Sequence, residues 1–176
     1  MKMQKCFNLQ GLRSRNCVDR DESREADAAM KYLKFTIPIE PRGQMRARSR
    51  AIEKSGKFLA MTYKAGKQRK EDGKLAALIY PHRPEQPFDG QIILGVKAFF
   101  EIPKSKPRKF VDAAASGEIR PTVKPDLDNV IKMLKDVCNG VFWVDDKMIV
   151  GYMPGTGKYY AAPGTVPRWE VEILVR

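Results

Sequence analysis

The stretch KPDLDNVIKMLKDVCNGVFWVDD, residues 124–146, constrains this chain more than any other. Val130, Ile131, Leu134, Val137 and Cys138 stand at i, i+1, i+4, i+7 and i+8, one apolar stripe along a helix. Asp128 or Asn129 can cap its start, and Gly140 sits where a glycine commonly ends a helix. The spacing predicts a helix over 129–139, with Lys132 and Lys135 off the buried stripe. Pro125 favours an extended or turn approach at Lys124. In an extended segment Asp126 and Asp128, two residues apart, point the same way. Lys132 lies one turn past Asp128 on the same flank. The apolar run 141–144 reads as a returning strand that delivers Asp145 and Asp146 at its end.

A helix and a returning strand packed together bring the two acid clusters close in space. Clustered carboxylates raise each other's pKa unless a cation holds them ionised. A hard divalent ion with oxygen ligands does that, and Mg²⁺ suits a few carboxylates plus waters. Such an ion polarises a phosphodiester and activates water, while a neighbouring lysine stabilises developing phosphate charge. Taken singly, each residue has a plainer reading. Asp128 is a cap, Asp145 and Asp146 a turn, Asp136 a solvated face residue and Lys132 a surface lysine. The joint pattern carries the argument: Asp126-x-Asp128-Asn129 opening a helix, Lys132 four residues on, and an acid pair after the apolar run.

Charge points the same way. The chain has formal net charge +12, and a basic balance of that size favours a polyanion partner. From Arg42 to Lys74 eleven Lys and Arg face three acids. Acid at one centre and base around it suit a protein that grips a nucleic-acid backbone and counters phosphate repulsion with a metal.

The rest of the chain predicts an α+β fold. Its expected form is a small mixed, mostly antiparallel sheet packed with one strong and one weaker helix. Leu33, Phe35, Ile37 and Ile39 alternate with polar residues as a half-buried edge strand ending near Pro38. Leu75, Leu78 and Ile79 form the inward side of the weaker helix, diluted by Gly66 and Gly73. QIILGVKAFFEI, residues 91–102, reads as a long strand and residues 103–125 as a long basic loop. KMIVGYM is a strand and residues 154–167 are a loop. A closing strand puts Trp169, Val171, Ile173 and Val175 on one face. Phe99 and Phe100 read as core, with a subunit contact as the other use.

Residues 1–29 are polar and charge-mixed, and read as a flexible N-terminal extension to a domain over 30–176. Met30, just before the first strand pattern, stands where a second start would fall. No apolar run approaches a membrane span and no secretory pattern appears, so a cytoplasmic protein without membrane contact is expected. Cys6, Cys17 and Cys138 lack zinc spacing, and His82 is the single histidine, which leaves no His-based metal site or triad. PGTGKYY fails as a phosphate-binding loop, because Tyr152 stands at its first glycine position and Tyr159 at its Ser/Thr position. No nucleotide cofactor is expected, and Lys158 reads as a solvated lysine, with a phosphate contact as its other use.

The segment KPDLDNVIK…D…NGVFWVDDKMIV closely resembles the signature of RusA-family endodeoxyribonucleases, the Holliday junction resolvases common in prophages. The resemblance is strong over residues 124–150 and weaker at the strands near Met30 and Trp169. It implies a small mixed α/β homodimer that binds four-way DNA junctions and nicks two strands symmetrically with Mg²⁺ or Mn²⁺. It places the acidic catalytic and metal-binding positions on Asp126, Asp128 and Asp146 and the essential lysine on Lys132. Asp145 matches the acid pair and is expected to orient the site from behind. Basic residues before the motif are expected on DNA: Arg46, Arg48, Arg50, Lys104, Lys106, Arg108, Lys109 and Lys124. The N-terminal extension and the long basic region after the first strand depart from the family pattern, which bears on junction selectivity more than on chemistry. Two other functions fit the same residues: a non-catalytic basic nucleic-acid-binding module, and a metal-dependent nuclease for other branched or linear DNA.

Overall fold

The computed structural model describes residues 30–45, 48–54, 57–63 and 66–176, with backbone only for Arg48, Arg50, Lys54, Thr62, Tyr63 and Lys67. The expected extension over 1–29 and Arg46 lie outside the described residues. The fold is α+β, as expected. Strands β1 (Lys31–Ile37), β4 (Ile92–Phe100), β5 (Ile149–Tyr152), β6 (Gly157–Tyr160) and β7 (Arg168–Val175) make one sheet. Strands β2 (Arg48–Lys54) and β3 (Lys57–Tyr63) make a separate antiparallel hairpin. The helices are α1 (Gly66–Ile79), α2 (Arg108–Ala115) and α3 (Leu127–Cys138).

β7 lies between β1 and β4 and runs antiparallel to both, pairing Phe35 with Val171 and Val96 with Val171 from its two sides. On its other edge β4 takes two parallel partners end to end. Ile92–Leu94 pair with β5, and Lys97–Phe100 pair with β6. A parallel pair needs a crossover rather than a hairpin. Residues 101–148, carrying α2 and α3, are that crossover.

Alternation sets the core. Trp169, Val171, Ile173 and Val175 of β7 are buried, as are Phe35 and Ile37 of β1 and Leu94, Val96 and Ala98 of β4. They share one apolar core with Val130, Leu134 and Cys138 of α3 and with Leu75 and Ile79 of α1. Leu78, expected inward, is exposed: it falls between the two buried positions and off their face. Burial pushes the Cys138 thiol well above its ordinary pKa, which makes it an inert core residue. His82 stacks on Phe35 with 5.2 Å between ring centroids, a packing role.

Four expectations change. Residues 141–144 form no strand. The chain reverses at Gly140 (φ 72°), and the amides of Val141 and Phe142 both donate to the Cys138 carbonyl. Adjacent Phe142 and Trp143 are both buried, which a strand with one buried face does not allow. The basic loop over 103–125 contains α2, a helix short enough to bury only Ala114. The loop over 154–167 contains β6, four residues recruited by the edge of β4. The basic region after β1 contains the β2–β3 hairpin.

The opposite face of the sheet is polar. Tyr32 Oη donates to Glu172 at 2.8 Å, and Lys34 Nζ lies 3.1 Å from the same carboxylate. Phe99 stacks on Tyr159 and lies under the Arg168 guanidinium, 4.1 Å from the ring centroid. The hydrogen bonds from Tyr32 and Lys34 hold Glu172 below the usual carboxylate range. A depressed carboxyl stabilises the fold above its unfolded pKa and loses that contribution as pH falls through the lower folded value. Glu172→Gln is therefore expected to melt about 1–3 °C below the parent at neutral pH. The two melting curves should converge as pH drops below the ordinary carboxylate range. A gap that persists at low pH would remove this role.

Candidate active site

α3 forms because its stripe packs against the sheet: Val130, Ile131, Met133, Leu134 and Cys138 are buried. It starts two residues earlier than its stripe suggests. The N-cap is Asp126, in extended conformation, and Asp128 already stands in the first turn. Neither Asp128 nor Asn129 is the cap. The Asp126 carboxylate makes no capping hydrogen bond. Asp126 and Asp128 are thus not neighbours on one extended strand.

A cleft of about 730 Å³ opens beside α3. Asp128, Lys132, Lys135 and Asp136 line it from the helix, with Leu127 and Ile131 as apolar wall. Asp146 enters from the turn after α3, and Tyr152, Met153, Gly155 and Thr156 close the far side from the end of β5 and its link to β6. Asp128, Lys132 and Asp146 therefore meet in one cleft, while Asp126 lies one residue before its wall. Among the described residues, no three acidic, histidine or cysteine side chains converge on one point.

The two acids of the pair differ. Asp145 caps a short 3₁₀ turn (Asp146–Met148), accepting from the Lys147 amide at 2.9 Å, and Lys147 Nζ lies 3.6 Å away. The backbone hydrogen bond, ahead of the Lys147 charge, holds its pKa below the ordinary value. Asp146 points to the cleft, and its carboxylate lies 3.3 Å from Lys135 Nζ. Lys135 escaped the sequence argument, although positions 128, 132 and 135 share one helical face. Asp136 is exposed and takes a hydrogen bond from Gln44.

Two carboxylates with waters and substrate phosphates are a common Mg²⁺ donor set, so Asp128 and Asp146 fit such an ion. Lys132 is exposed on the same wall.

The basic residues expected on DNA lie outside the cleft wall. Lys104, Lys106, Arg108 and Lys109 are exposed around the start of α2, and Lys124 is exposed just before α3. Cations at a helix N-terminus oppose its dipole, so helix stability does not account for Arg108 and Lys109. Arg48 and Arg50 are described by backbone only, on β2.

Lys158 is not a solvated lysine. Its Nζ donates to the Val123 carbonyl at 2.6 Å and to the Pro125 carbonyl at 2.9 Å.

The family model of endodeoxyribonuclease RusA matches residues 38–174. An uncharacterized protein of Bacillus subtilis (strain 168), YqaN, is 33% identical over 149 residues, covering 84% of this chain and 97% of that protein. Among the described residues, no helix is long and apolar enough to cross a membrane.

Proposed function

The chain belongs to the RusA endodeoxyribonuclease family, and from that premise we propose that it resolves four-way DNA junctions by paired, symmetric, metal-dependent nicks. One observation carries the reading: Asp128, Lys132 and Asp146, up to eighteen residues apart in sequence, line a single cleft in a chain of net charge +12.

In this reading Asp128 and Asp146 would hold Mg²⁺ or Mn²⁺, joined by Asp126 from the helix cap. The ion, when bound, polarises the phosphodiester and activates the attacking water. Lys132 offsets charge that builds on the phosphate oxygens. Lys135 holds the Asp146 carboxylate in place, and Asp145 fixes the turn that carries it. The basic residues about α2 and on β2 grip the backbone. A junction presents two symmetry-related strands, and a homodimer with a two-fold axis presents two equal sites to them.

The test is a labelled synthetic four-way junction incubated with Mg²⁺, with Mn²⁺ and with EDTA, beside a flap and a linear duplex. Paired symmetric nicks in the junction alone, abolished by EDTA, are expected. Tight binding without cleavage under either metal would make the protein a binding module. Equal cutting of flap or duplex would make it a nuclease of another preference.

A further inference from the structure

The Asp126 carboxylate makes no capping hydrogen bond, so its place depends on the backbone that carries it. That backbone is held from two sides. Lys158, on β6, spends two of its three protons on the carbonyls of Val123 and Pro125, the latter in the peptide that joins Pro125 to Asp126. Its ammonium sits over the Phe100 ring, 6.0 Å from the centroid. Gly43 abuts the same segment: a Cβ there would lie 2.7 Å from Pro125 Cβ and 3.4 Å from Asn129 Cβ. The Gln44 amide donates to the Asn129 carbonyl at 3.0 Å. A charged donor bridging two carbonyls makes stronger bonds than a neutral one and fixes the strap against its neighbours.

We propose that Lys158 is a positioning residue: it holds residues 123–125 so that Asp126 stands at the mouth of the Asp128–Asp146 cleft, and it does not contact DNA. This rests on the metal-nuclease reading above. It assigns Lys158 to the acid centre through the backbone, although the residue lies on the far strand and outside the cleft wall.

Lys158→Met removes both bonds and keeps the stem. Lys158→Arg restores donors that can reach two carbonyls. Three readouts are needed: Mn²⁺ binding by calorimetry, hydrogen exchange over residues 123–128, and single-turnover junction cleavage with junction affinity. Lys158→Met is expected to speed exchange over 123–128, to weaken Mn²⁺ binding about tenfold and to slow cleavage about tenfold. Junction affinity should stay within about twofold, since no phosphate contact is lost. Lys158→Arg should recover most of each effect. Should Lys158→Met fail to fold, Lys158→Gln, which keeps one short donor, takes the same measurements. Unchanged exchange and Mn²⁺ affinity would overturn the proposal, and a loss confined to junction affinity would overturn it in favour of a DNA contact. If the parent protein neither binds Mn²⁺ nor cleaves, the nuclease reading fails by itself. Faster exchange would then still support the strap, and unchanged exchange would end it.

Discussion

Asp128→Asn is expected to slow junction cleavage by about a thousand-fold while junction binding stays equal or tightens. Asparagine keeps the shape of the side chain and removes the charge that would hold the metal. A carboxylate facing phosphate repels it, so binding gains when the charge goes. Asp128 stands in the first turn of α3, where a negative charge favours the helix dipole. The variant should therefore lose at most about 1 kcal/mol of stability, which a melting curve checks. Asp146→Asn carries the same expected loss of cleavage, with one difference. It frees Lys135, now 3.3 Å from the Asp146 carboxylate, and makes the cleft more positive. Junction affinity should rise more in this variant, and more steeply at low salt. Single-turnover cleavage beside a binding isotherm tests both. Cleavage at the parent rate by either variant would remove that carboxylate from the chemistry.

Trp143→Ala is expected to destabilise the protein by about 3–5 kcal/mol. Trp143 is fully buried in the turn that follows α3, bridged to Phe88 and Asn139. Among the described residues its buried indole nitrogen has no hydrogen-bond partner, and neither has that of Trp169. Trp143→Phe therefore makes a useful contrast. It loses volume but also removes an unpaired buried N–H, and the second effect offsets part of the first. The expected cost of Trp143→Phe is below about 2 kcal/mol. Urea denaturation of the two variants measures both. Both variants lose the N–H, so the difference between them reports packing; a Trp143→Phe cost above about 2 kcal/mol would mean that removing the orphan N–H offsets little of the lost volume.

The elements legible in the sequence are those whose burial repeats with a single period. β7 alternates over Trp169–Val175, and α3 shows its stripe from Val130 to Cys138. The elements that escaped have no such period. α2 buries one alanine, and β6 is four residues whose strand state comes from the edge of β4. The 141–144 run misled because its apolar content reflects two adjacent side chains plugging the core from a turn. At the site, Asp128 and Lys132 were legible as neighbours on a helix, and Asp146 through the motif. Lys135 was legible in principle from its spacing. Lys158 was not, because its partners are backbone carbonyls more than thirty residues away, and carbonyls leave no trace in residue identity.

The feet of the β2–β3 hairpin have a consequence for how such proteins diverge. On the entering side Gln44 is tied to the site helix through the Asn129 carbonyl, and the next amide, that of Met45, donates at 2.9 Å across to Gln68 on the leaving side, buried near the start of α1. The two ends of the arm are thus fastened to each other before the arm begins. A hairpin of another length or charge is expected to close on the same base. The hairpin is in that sense a separate module, hung from two backbone hydrogen bonds beside the helix that carries Asp128 and Lys132.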